Sequence, residues 1–98
     1  MEVEFSDENL DRLEIGEFGD CGYSPGIVKA FRKRMQLIRT APDERDFYTA
    51  KSLHYEKLQG DRSHQHSMRL NKQERLIVEY KGEGTSKIVI IVGIEDYH

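Results

Sequence analysis

Two spacings of apolar residues organise most of this chain. Val28, Phe31, Met35 and Ile38 recur at intervals of three, four and three, one stripe of a helical surface, and predict a helix over 25–40. Ser24-Pro25 supplies its start, a capping hydroxyl followed by a residue whose missing N–H costs nothing there, and Ala41-Pro42 ends it. From residue 53 the interval drops to two. His66, Met68 and Leu70 alternate with Ser67 and Arg69, and Leu76, Val78 and Tyr80 alternate with Arg75, Ile77 and Glu79. Two strands joined through Asn71-Lys72-Gln73 follow from that. Leu53 to Leu58 reads as a further strand or extended arm before a turn at Gly60-Asp61. Lys87 to Glu95, with aliphatic residues at every position from Ile88 to Val92, reads as an interior strand buried from both sides. At the other end, Val3 and Phe5 mark a short strand over 1–5. Ser6-Asp7-Glu8-Asn9 offers a cap for a helix carrying Leu10, Leu13 and Phe18, and the glycines between 16 and 22 break the chain. Residues 43–52 read as a loop with one helical turn near Asp46 to Ala50.

This order predicts an α+β fold, with an N-terminal strand and helices packed on one face of a small, mostly antiparallel, curved sheet. The concave opposite face is where a site is expected. At 98 residues the chain is expected to form one domain spanning 1–98. Its longest aliphatic run, 88–92, is far short of a membrane span, and no basic, apolar leader opens it. A single cysteine, Cys21, excludes an internal disulfide framework, so a cytoplasmic setting is expected.

The net charge of −3 argues at first against a nucleic-acid partner. Its distribution reverses that. Residues 1–20 carry eight acids against Arg12 alone, whereas residues 21–98 sum to +4. The acidity is an N-terminal feature and the body is basic, which is what approach to a phosphate backbone requires.

Candidate chemistry gathers in the second half. Arg62 and Arg75 offer guanidinium forks that match phosphate oxygens. Asp96-Tyr97-His98 adds an acid, an aromatic ring and an imidazole able to exchange a proton near neutral pH. Together such groups suffice to cleave RNA through the ribose 2′-OH with no metal or cofactor. Each also has a plainer reading, as turn chemistry, a solvated strand charge or a polar chain end. His64 and His66 would share one side of a strand, but no further ligand follows at zinc spacing. Cys21 has no base beside it in sequence.

Taken in order, Leu58-Gln59-Gly60-Asp61-Arg62, Ser67-Met68-Arg69-Leu70-Asn71, Gln73-Glu74-Arg75 and Asp96-Tyr97-His98 resemble the successive motifs of the HigB-like branch of the RelE/ParE toxins, the plasmid maintenance killer proteins. The resemblance covers residues 53–98 closely and the N-terminal half in outline. It implies a RelE-like fold, ribosome-dependent cleavage of mRNA, and neutralisation by a cognate helix-turn-helix, HigA-like antitoxin. It also implies catalytic positions at Arg62, Arg75, Asp96, Tyr97 and His98. A family histidine falls at Glu56, so Glu56, or His54 brought in by a local bulge, is the implied base. The family lysine before Gly60 is Gln59 here, and the aromatic residue before Arg75 is Glu74. Lys57, Arg69 and Lys72 are the remaining candidates to meet RNA phosphates. A second reading keeps the fold without the catalysis: a binding module like the gyrase-directed ParE toxins, or an inactive homologue that sequesters antitoxin.

Overall fold

The computed structural model describes residues 1–16 and 22–96. Phe18, Cys21, Tyr97 and His98 therefore lie outside the described residues. Strand β1 (Glu2–Phe5) leads into helix α1 (Glu8–Ile15), capped by the Asp7 carboxylate, which accepts from the Asn9 N–H at 2.9 Å. Gly16 closes α1 in the left-handed region at φ 72°, its N–H bonded to the Arg12 carbonyl. Helix α2 (Pro25–Thr40) starts where Ser24 Oγ accepts from the Ile27 N–H, as its sequence predicts. A short helix α3 (Arg45–Thr49) follows, one turn where a turn was expected.

Strands β2 (Glu56–Lys57), β3 (His66–Arg69), β4 (Glu74–Lys81) and β5 (Ile88–Asp96) complete one sheet in the order β1-β5-β4-β3-β2. Among the described residues β1 and β5 run parallel and the other neighbours are antiparallel. Leu10 and Leu13 of α1 and Val28, Phe31, Met35 and Ile38 of α2 pack on Met68, Leu76, Val78, Val89 and Ile91 in a single buried cluster. Full burial of such a side chain is worth about 1.5–3 kcal/mol, so this stripe holds the helices to the sheet. Arg39 adds a fork onto Glu14 at 2.7 and 2.8 Å, and Arg32 donates to the Leu13 carbonyl at 3.0 Å. The basic face of α2 thus clasps α1 instead of standing wholly in solvent.

Two elements depart from the sequence-based expectation. The arm from Leu53 is mostly not strand: a tight turn over Lys51–Leu53 ends at His54, whose φ of 47° turns the chain before the two residues of β2. Leu53 and Tyr55 are both buried, which mimics strand alternation in the sequence. Strand β5 is interior, but only its Val89 and Ile91 are buried; the facing side of the sheet is open and its residues are half-covered. β5 also carries a bulge. Val78 pairs with Ile91 but Ile77 pairs with Gly93, leaving Val92 as the extra residue. The extra residue lets Ile94 rejoin Leu76 on the helix side and delivers Glu95 opposite Arg75.

Candidate active site

The open face of the sheet is built by register. Arg69 of β3 lies directly opposite Arg75 of β4, and Arg75 directly opposite Glu95 of β5. Directly opposed residues share a face, so these three side chains form one row. His54 extends it, its Nε2 3.1 Å from the Arg69 Nη1. Because guanidinium only donates, that ring nitrogen accepts, its lone pair directed at Arg69. The next row consists of Glu56, Ser67, Ile77 and Gly93.

The β3–β4 turn fixes this end of the site. Asn71 Oδ1 accepts from the N–H groups of Gln73 and Glu74 at 2.8 and 2.7 Å, and Arg69 Nε donates to the Asn71 carbonyl at 3.1 Å. Arg34 of α2 donates to the Arg69 carbonyl at 2.9 Å and braces the strand end from behind. The result is a cleft of about 280 Å³ lined by His54, Glu56, Arg69 and Lys72.

Arg62 enters from the turn after β2. Its Nη1 and Nη2 reach both oxygens of Glu95 at 3.0 and 2.7 Å, and its Nε donates to Gln65 Oε1 at 2.9 Å. Gln65 in turn donates to Glu79 at 2.8 Å. Arg75 Nη2 stands 3.8 Å from the same Glu95 carboxylate. The hydrogen bonds from Arg62 hold the Glu95 carboxyl below its usual range, and those bonds raise Arg62 in return. Ser67, at the floor, is fully buried, and its Oγ has no hydrogen-bond partner among the described residues.

Of the sequence candidates, Arg62, Arg75, Arg69, Lys72, Glu56 and His54 meet on this face. His54 arrives through a left-handed backbone turn, not through the local bulge that its candidacy invoked. Lys57 does not join them: it pairs with His66 and takes the helix side of the sheet. Asp96 pairs with Glu74, on the side of β5 away from Glu95. His64 and His66 do not share a side either. His64 lies 3.7 Å from Glu79 on the open face, whereas His66 stacks on Tyr55 and stands 3.6 Å from Glu44. The strand begins only at His66, so alternation does not govern His64.

The sequence reading missed Glu95 and Gln65. No sequence signal marks Gln65, and the spacing of core residues on β5, two from Val89 to Ile91 and then three to Ile94, becomes apparent only with the bulge that turns Glu95 outward.

A family model described as the RelE-like toxin of type II toxin–antitoxin system HigB matches residues 3–98. No curated protein sequence matches the chain. Among solved structures, the YoeB/ParE toxin from Agrobacterium tumefaciens superposes with a TM-score of 0.64 at 19% identity, over 100% of both chains. The crystal structure of YafQ from E. coli strain BL21(DE3) superposes with a TM-score of 0.59 at 13% identity, over 97% of this chain and 91% of that one. Both likenesses establish the shared fold.

Proposed function

The chain belongs to the RelE-like toxins of type II toxin–antitoxin systems, in the HigB branch, and from that premise we propose that it is an endoribonuclease cutting mRNA on the ribosome. The observation that carries this reading is the directly opposed pair Arg69 and Arg75. Like charges facing each other across strands destabilise a sheet, so their juxtaposition supports a place built for an anion. Arg62 and Lys72 flank them, and His54 and Glu56 stand beside them.

In the proposed reaction His54 Nε2, released from Arg69 as the phosphate engages that guanidinium, or Glu56 beside it, takes the proton of a ribose 2′-OH. The freed oxygen attacks the adjacent phosphorus, forming the O2′–P bond while the P–O5′ bond breaks. Arg75, with Arg62 and Arg69, holds the charge that builds on the phosphoryl oxygens. His98 protonates the departing 5′-oxygen, and Tyr97 stacks on the nucleotide. The side chains themselves supply this chemistry, so the reading requires no metal. The setting is the cytoplasm, and the neutralising partner is a helix-turn-helix antitoxin of the HigA kind. Among the described residues no helix is long and apolar enough to cross a membrane.

One observation favours a second reading, a toxin-fold binding module without catalysis: Arg62 and Arg75 both face a carboxylate of the chain itself. Primer extension on a reporter mRNA, with and without programmed ribosomes, separates the two. Cuts in codon register that appear only with ribosomes are expected. A folded protein that leaves the message intact under both conditions overturns the enzymatic reading.

A further inference from the structure

We propose that the Glu95 carboxylate is an internal substitute for a phosphodiester, occupying the Arg62–Arg75 clamp until RNA displaces it. This deepens the reading of the open face as an RNA site and rests on it.

Three observations carry the inference. The first is geometric. Arg62 engages both Glu95 oxygens, at 3.0 and 2.7 Å, in the two-pronged arrangement that a guanidinium also makes with two phosphate oxygens. Arg75 approaches the same carboxylate from the neighbouring strand at 3.8 Å, so the anion sits between two cations as a bridging phosphate would.

The second is the way Arg62 is held. Its Nε is fixed by Gln65, and Gln65 is fixed by Glu79. Neither contact involves Glu95. When the carboxylate swings away, the outer edge of the guanidinium stays aimed at the same point, already oriented for an incoming anion. A guanidinium that relied on Glu95 alone would lose its orientation with it.

The third is exposure. Both side chains of the pair are 39% exposed, so the bond is open to water and to competing anions. Ion pairs at that exposure are weak and exchange readily. The backbone need not move: rotation of one glutamate side chain frees the clamp, replacing a carboxylate by a phosphate of the same charge. The bulge at Val92 is what puts a carboxylate there, because an unbroken pairing from Lys81–Ile88 would set Ile94 opposite Arg75.

The test needs no ribosome. A short fluorescent RNA methylated at every 2′-oxygen cannot be cleaved by this chemistry, and its binding is followed by anisotropy at low salt. Glu95→Gln is expected to bind it about two- to fivefold more tightly than the wild type, the range by which an exposed ion pair competes. In an Arg62→Ala background the same change should lose most of that gain. Glu95→Asp, one methylene too short for the two-pronged contact, should move affinity in the same direction and serves if the glutamine variant does not fold. Unchanged or weaker binding by a folded Glu95 variant overturns the proposal. So does a gain that survives intact without Arg62, which would reflect net charge alone. If ribosome-dependent cleavage is absent and the Arg62-dependent gain is present, the clamp stands and the enzymatic reading falls. Cleavage without the gain has the opposite meaning.

Discussion

Ser67→Ala should make this protein more stable. Ser67 is fully buried in the floor of the open face, and its hydroxyl meets no partner among the described residues. Burying a hydroxyl unpaired costs about 1–3 kcal/mol in protein contexts. Alanine keeps the Cβ that packs beside Ile77 and Glu56 and removes only the oxygen, leaving a void too small to hold water. Allowing for the weaker dispersion attraction around that void, a net gain of about 1 kcal/mol is expected, or roughly 4–8 °C in Tm for a domain of this size. Urea unfolding followed by circular dichroism measures it, the midpoint rising with an unchanged slope. A loss of about 1 kcal/mol or more would refute the reasoning, because it would require the hydroxyl to be paired in the folded protein. Loss of RNA cleavage in the same, more stable variant would show that the hydroxyl serves the reaction and that its burial cost is retained for function.

Gly82 stands at φ +81°, and a Cβ there would lie 2.8 Å from the Ser86 carbonyl oxygen, so Gly82→Ala should destabilise by about 1–3 kcal/mol in the same urea assay. Stability should also fall in acid. Burial lowers the His66 pKa in the fold, so the unfolded chain takes up that proton first and stability declines below pH about 6.5. Burial pushes Glu44 up, but the hydrogen bonds from Lys87 and Tyr55 outweigh it. Its net lowered pKa adds stability present above the usual carboxylate range and lost as pH falls through the folded value. A urea midpoint that stays flat from pH about 7.5 to about 5 would contradict the burial of a neutral His66, and His66→Phe should flatten the upper part of the decline. His98→Ala should abolish ribosome-dependent cleavage with folding intact; wild-type cutting by that variant removes His98 from the mechanism. His54→Ala should cost on the order of 10²-fold or more in single-turnover cleavage if His54 is the base, against a small loss for Glu56→Gln. The reverse ranking would assign the base to Glu56.

Much of the architecture was legible because local and long-range signals agree. For α2, the Ser24 cap, Pro25 and the stripe from Val28 to Ile38 all point the same way, and the helix spans Pro25–Thr40. The β3–β4 hairpin was equally readable, since Asn71 has the side chain its turn requires. What could not be read was backbone geometry that departs from a period. His54 in the left-handed region looks, in sequence, like any residue of an extended arm. The bulge at Val92 lies inside a run of aliphatics, where every register looks equally apolar, so the phase of Glu95 and Asp96 was hidden. Arg62 and Arg75 could be named as candidates from sequence, but their shared carboxylate depends on that hidden phase.

The pairing of β1 with β5 sets an order of events. Residues 2–5 wait for residues 88–91, so among the described residues β1 has no partner strand until β5 exists. Contacts of such long sequence separation form late and slowly. Glu95 arrives with that same strand, and with it the row from His54 through Arg69 and Arg75 becomes complete. During synthesis, therefore, the partly made chain has the cationic hairpin but neither the closed sheet nor the groups beyond it. A toxin of this family therefore gains its finished surface only after residues 88–96 have been made.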